Sequence, residues 1–145
     1  MFLSCGGAQK SASAEVENNV KKLKETNNCE GCDLQYANLQ NASLRNAKLR
    51  NADLRNADLS SAELRNADLS SINAQYADFG FANLQNADME RADLYHADLS
   101  NANLAGADLS YSDLRGADLN NVQLSSTTLT GANMKAGAAG PGESQ

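Results

Sequence analysis

The sequence is defined first by what it lacks. It has no tryptophan, one proline, one histidine, three Phe and four Tyr in 145 residues. A conventional globular core draws on aromatic and β-branched side chains, so a 41% hydrophobic content made mostly of Ala and Leu must pack in another way. The only proline, Pro141, lies near the C-terminus, so no proline interrupts the interior. There is no Gly-rich phosphate loop, and the lone His96 has no Ser or Cys nucleophile at a plausible spacing, so no catalytic constellation is visible and no enzyme is expected. Basic excess is absent too. A net charge of −6 and a pI near 4.6 exclude a general binder of nucleic-acid backbones. No apolar run reaches the length needed to cross a bilayer. By length the chain is one domain.

What is present is a repeat. From Cys32 every fifth residue is small (Ala37, Ala42, Ala47 and onward to Ala132), and two residues later comes a large apolar one, from Leu34 to Met134. The frame runs through 21 consecutive pentapeptides without insertion or deletion. A period of five fits neither the helix nor the flat strand, and leucine at that spacing would smear around a helical cylinder. A coil that turns a corner every five residues and closes a square after four does fit. Its small and large residues point inward and the other three positions face water. Backbone groups along such a coil point up and down its axis, and only a neighbouring coil can pair them.

The units A-D-L-R-N, A-D-L-S-S and A-N-L-Q-N resemble the A(D/N)LXX motif of pentapeptide repeat proteins over residues 32–136. The resemblance implies an all-β solenoid, a right-handed quadrilateral β-helix of about five coils at the usual inter-strand spacing. At "SINAQ" the phrase falters: Ile72 takes a small slot and Ala74 a large one. The frame does not slip there. The pair exchanges volume, Phe79 on the next face helps to refill the interior, and neither a break nor a pocket is expected.

Residues twenty apart stack, so the position after each small residue forms four exterior columns. One is acidic: Asn38 followed by Asp58, Asp78, Asp98 and Asp118. A second runs Lys48, Asp68, Asp88, Asp108, Thr128. A third (Asp33, Asp53, Asn73, Asp93, Asp113, Asn133) has Arg55 and Arg115 beside it, and the fourth (Ser43, Glu63, Asn83, Asn103, Gln123) has Arg45 and Arg65. Stacked aspartates have two readings: a ladder that binds cations or imitates DNA phosphates, or solvated side chains bonded to local backbone at the corners. The motif supplies Asp to every face alike, which favours the second. Exterior aromatics are rarer. Tyr36, Tyr76 and His96 share a corner column with Tyr95 adjacent, Phe81 lies at the next corner, and Arg91 shares another column with Tyr111. Exposed aromatics with arginine are typical of binding hot spots, and the alternative is that corner aromatics merely shield the backbone or stack on each other; Tyr76, Phe81, Arg91, Tyr95 and His96 form the candidate interaction surface. His96 alone reads as a solvent-facing corner residue.

The ends differ from the rod. Residues 14–26, "AEVENNVKKLKET", carry a helical stripe of Val16, Val20 and Leu23 behind Ser13 as N-cap. With 27 and 28 they form an N-terminal α-helical cap over the exposed edge of the first coil; a membrane-surface role through Lys21, Lys22 and Lys24 is the weaker reading. Cys29-x-x-Cys32 admits half a metal site, a redox motif or a structural disulfide, and Cys32, in an inward small slot, equally suits a buried thiol. No second CxxC and no βαβ pattern accompany it. "LKETNNCEGCDL" is similar to the opening of exported bacterial, especially cyanobacterial, pentapeptide repeat proteins. That resemblance implies a Cys29–Cys32 disulfide, an oxidising compartment and a periplasmic, thylakoid-lumenal or otherwise exported location, with the cytoplasm as the alternative. "FLSCGG" looks like the end of a lipoprotein signal with Cys5 as the lipidated residue, or equally a disordered leader over residues 1–13 with one free thiol. Membrane attachment is expected only if Cys5 is lipidated. The repeats span 29–136, and 137–145 read as a disordered tail, which leaves the last coil open to an end-to-end dimer.

The function expected from these features is a non-enzymatic structural or interaction module that offers a rigid rod to a protein partner. No cofactor, metal or nucleic acid is called for. The alternative is a DNA-mimicking inhibitor of a topoisomerase such as gyrase, like the quinolone-resistance pentapeptide proteins. Arg45, Arg50, Arg55 and Arg65 interrupt the negative surface that mimicry wants.

Overall fold

A computed structural model describes residues 11–135. Each pentapeptide makes one bend, in which the amide of the small residue donates to the carbonyl of the large residue three positions earlier, as Ala57 does to Leu54 at 3.0 Å. The second residue inside every bend has positive φ: 60° at Asn41, 61° at Asn56, 75° at Gly106. Positive φ at that position alone marks a type II turn. Asn and Gly enter the left-handed region with least steric cost, which is why the fifth position of the motif so often reads Asn.

The remaining amides explain the stacking. Asp58 donates back to the Ala37 carbonyl at 2.9 Å, Leu59 donates forward to Asp78 at 2.7 Å, and Ser61 donates forward to Gly80 at 2.8 Å. The one amide left, that of Ser60, is taken by the Asp58 side chain at 2.9 Å. Every N–H of the repeat therefore has a partner, as buried backbone requires. Parallel bridges between residues twenty apart run unbroken from Asn28↔Lys48 to Asp113↔Asn133. Pairing is one residue wide on each side, so the wall is a ladder of single bridges. With four bends to each twenty residues, the coil is four-sided. The ladder starts one repeat before Cys32: Asn27 fills a small slot, Cys29 a large one, and Gly31, at φ 69°, the bend.

Leucines from Leu34 to Leu114 are fully buried, with alanines between them. Ile72, Ala74 and Phe79 are equally buried, and Asn73 keeps its bridges to both neighbours. The exchange of volume leaves one trace. The bend bond from Ile72 to Leu69 stretches to 3.4 Å, as does that from Val122 to Leu119, against 3.0 Å at Ala57. Ile72 and Val122 in the small slot push the turn open without moving the frame, whereas Thr127 in the same slot keeps its bend bond at 3.1 Å.

Helix α1, Ala14–Thr26, begins where Ser13 Oγ accepts from the Val16 amide and ends at Asn27, whose φ of 63° lets its amide bond Leu23. Val16 and Leu23 are buried in the same apolar cluster as the coil interior, with Val20 half-buried beside them. Asn19 Nδ2 donates to the Asp33 carbonyl at 2.9 Å and Asn27 Nδ2 to the Arg45 carbonyl at 2.7 Å. One coil further in, the equivalent carbonyls of Asp53 and Arg65 accept from the backbone of Leu34 and Asn46. Side chains of the α1 segment thus occupy the bonds that a preceding coil would make. At the other end Leu124, Leu129 and Met134 are only half-buried, and Thr127 Oγ1 donates to the Leu104 carbonyl at 2.7 Å. Among the described residues no helix is long and apolar enough to cross a membrane.

Candidate interaction surface

The aspartate columns are tied to the turns. Oδ1 of Asp58, Asp78, Asp98 and Asp118 accepts from the amide two residues on, in Ser60, Gly80, Ser100 and Asn120. Asn38, Asn83 and Asn103 make the same bond. The turn therefore needs the oxygen and not the charge. Among the described residues no group of three or more His, Cys, Asp or Glu is placed to hold a metal ion.

The charge is nevertheless unevenly compensated. Arg55 holds Asp53 with two bonds, of 2.9 and 2.7 Å, and Arg115 holds Asp113 in the same fork. Arg65 pairs with Glu63 at 3.1 Å, and Arg91 meets Glu90 at 3.6 Å. Hydrogen bonds from Arg55 and Arg115 hold the carboxyls of Asp53 and Asp113 below the usual carboxylate range, and the Ser110 hydroxyl does the same for Asp108. All of these cations lie on three of the four sides. The fourth side, residues 37–41, 57–61, 77–81, 97–101 and 117–121, contains no Lys or Arg and carries Asp58, Asp78, Asp98 and Asp118.

The aromatic residues sort themselves by corner. Tyr76 and His96, one coil apart, stack with ring centroids at 5.4 Å and planes 2° apart. Tyr95 meets His96 edge-on at 4.4 Å and Tyr76 at 6.0 Å, and the Arg115 guanidinium lies 5.2 Å from the Tyr95 ring. Arg91 is not part of this group. It sits on another corner, 5.1 Å from the Tyr111 ring. Phe81 occupies a third corner, has no ring or cation against it, and is 68% exposed. Sequence reasoning grouped Tyr76, Tyr95 and His96 but missed Arg115 as their fourth member. It also missed the glycines beneath the rings. A Cβ at Gly116 would stand 2.6 Å from the His96 imidazole, and one at Gly131 would stand 2.5 Å from the Tyr111 ring. The twenty-residue offsets 95/115, 96/116 and 111/131 carried both signals.

These side chains also occupy strained backbone. Tyr76, Phe81, Arg91, His96 and Tyr111 all sit at the left-handed bend position, with φ between 56° and 62°. A bulky residue there costs on the order of 1 kcal/mol relative to Asn or Gly. Backbone strain of this kind gathers at functional positions. Elsewhere, a cavity of about 380 Å³ opens between Glu17 and Val20 of α1 and Tyr36 and Asn38 of the coil, away from the ring cluster.

Cys29 and Cys32 are joined by a disulfide, Sγ–Sγ 2.07 Å, across the first bend of the ladder. Cys5 lies outside the described residues.

The family model for pentapeptide repeats matches residues 28–66, 62–101 and 97–135. The chain belongs to the pentapeptide repeat family. Members of that family form right-handed quadrilateral β-helices, and the twenty-residue ladder is this chain's version of one. Among solved structures, the pentapeptide repeat protein Rfr23 from the cyanobacterium Cyanothece 51142 is similar at 28% identity and a TM-score of 0.81, covering 86% of this chain and 98% of Rfr23. A pentapeptide repeat protein from Nostoc PCC 7120 is 30% identical, with 83% and 95% covered and a TM-score of 0.44. One from the thylakoid lumen of Arabidopsis thaliana is 26% identical, with 77% and 64% covered and a TM-score of 0.35. No curated protein sequence matches the chain.

Proposed function

We propose that this pentapeptide repeat protein is a non-enzymatic interaction module, a rigid rod of about five coils spaced at the usual inter-strand distance, closed at its N-terminal end by α1, that offers corner side chains to a protein partner. One observation carries the reading: bulky aromatic and cationic residues occupy left-handed bend positions where Asn recurs at no such cost, and Tyr76, Phe81 and Tyr111 are more than half exposed there. They add nothing to the interior, and contact with something outside accounts for their presence at these corners. The Cys29–Cys32 disulfide supports an oxidising compartment, periplasmic or thylakoid-lumenal. The topoisomerase-inhibitor reading wants a continuous negative surface, and the arginine–carboxylate pairs on three sides speak against it.

The test is retention of a partner from extracts of the native host by immobilised protein. Tyr76→Asn combined with Tyr95→Gln uses residues that the same columns carry at Asn56 and Gln75, so the fold is preserved. The proposal expects the retained partner to be lost with an unchanged unfolding midpoint. Equal retention by the variant overturns it.

A further inference from the structure

We propose that the side carrying Asp58, Asp78, Asp98 and Asp118 docks a lysine- or arginine-bearing segment of a partner protein, with Phe81 as its aromatic anchor. The inference rests on the interaction-module reading and names the partner's chemistry.

Phe81 is the most exposed large apolar side chain described. The other exposed aromatics each have company: Tyr76 stacks on His96, and Tyr111 lies under Arg91. Phe81 has no ring or cation against it, and an exposed ring attracts a cation, more strongly as the pair loses water. On the other corners that cation comes from within the chain, Arg91 for Tyr111 and Arg115 for Tyr95. On this side the chain supplies none, because no Lys or Arg lies anywhere on it.

The residue beside the ring adds shape. Ser60 and Ser100 each give a hydroxyl as well as an amide to Asp58 and Asp98, whereas Gly80 gives Asp78 its amide alone. A Cβ at Gly80 would stand 3.1 Å from Asp78 Oδ1 and 3.9 Å from Asp98 Oδ2. Gly80 itself is buried, and the Asp78 carboxylate lies close over it, with that of Asp98 next to it, beside Phe81. A long basic side chain can lay its methylenes on the ring and its charge against the Asp78 and Asp98 carboxylates. Charge selects the occupant. An unneutralised column of carboxylates repels a second copy of itself, nucleic acid and an anionic lipid surface, and it steers a cationic segment inward.

The experiment titrates ¹⁵N-labelled protein, followed by amide shifts, with the synthetic peptide acetyl-Gly-Arg-Gly-Arg-Gly-Arg-Gly-amide. Shifts are expected on the segments around 58–60, 78–81 and 98–100. Phe81→Asn should weaken binding about tenfold, the loss of one well-placed contact. A triple variant, Asp58→Asn/Asp78→Asn/Asp98→Asn, should weaken it at least as much. Asn already makes the same turn bond at Asn38, Asn83 and Asn103, so the fold survives. The control triple Asp68→Asn/Asp88→Asn/Asp108→Asn removes the same charge from the opposite side and should change affinity by less than about threefold, the residue of screened long-range attraction. Equal weakening by the two triples, indifference to Phe81→Asn, or no shifts at millimolar peptide each overturns the inference. If the peptide fails to localise here while partner retention still depends on Tyr76 and Tyr95, this inference falls and the interaction-module reading stands.

Discussion

Phe79 and Phe81 are separated by one residue and by the wall of the coil. Phe79 is fully buried and restores volume that Ala74 gave up; Phe81 is 68% exposed, at a φ of 60°, with no ring or cation against it. The inside of the rod follows a rule, one large and one small residue per side, and departures from it are compensated within a coil. The outside corners follow a backbone preference for Asn or Gly; Tyr76, His96 and Tyr111 depart from it with a ring, a cation or a glycine of the next coil against them, and Phe81 departs from it without any of these. Interior residues answer to the fold. On the proposed reading, the exceptional corner residues answer to a partner.

The sharpest way to break the comparison is to cut the interior. Phe79→Ala should destabilise the protein by about 3–5 kcal/mol, the range for an aromatic removed from a closed core, measured by chemical denaturation. A loss below about 1 kcal/mol, outside that range, would mean the coil collapses around the gap. Next comes Gly116→Ala, which both strains a residue at φ 73° and drives a methyl into the His96 ring. It should destabilise by about 1–3 kcal/mol, the range for forced φ combined with overpacking. In a His96→Asn background the cost should shrink towards that of the backbone alone. The smallest effect belongs to the surface ion pairs. Asp53 and Asp113 have depressed pKa values in the folded chain, so their stabilisation is present above the unfolded-state pKa and is lost as pH falls through the folded one, below about pH 4. Arg55→Gln should flatten part of the acid limb of a stability–pH curve while leaving neutral-pH stability nearly unchanged, as exposed pairs do.

Much of this was legible in the sequence because the period of five is a direct image of the bend. The columns, the buried Leu and Ala slots and the harmless exchange at Ile72 and Ala74 all follow from counting. Counting does not reveal backbone sign. That the fifth position is left-handed, and that Tyr76 or Phe81 there is strained, depends on φ, which a column of letters carries only as a taste for Asn and Gly. The start of the ladder was also hidden. Asn27 in a small slot breaks the pattern, yet it is tolerated because its side chain reaches the Arg45 carbonyl at the edge of the first coil. The twenty-residue offset already put Arg91 in one column with Tyr111, where the structure has it, so only its grouping with Tyr76 in the middle of the rod fails. In a solenoid, neighbours along the axis outrank neighbours along the chain.

The central claim is that the corner aromatics are kept for contact and not for stability. The most direct measurement is the unfolding midpoint of Tyr76→Asn/Phe81→Asn/Tyr111→Asn, which places at three corners the residue that the same bend carries at Asn56, Asn101 and Asn51. The account predicts a protein at least as stable as the original, since relief of left-handed strain offsets the loss of ring stacking. A midpoint clearly lower than the original would show that the rings serve the fold, and would contradict it.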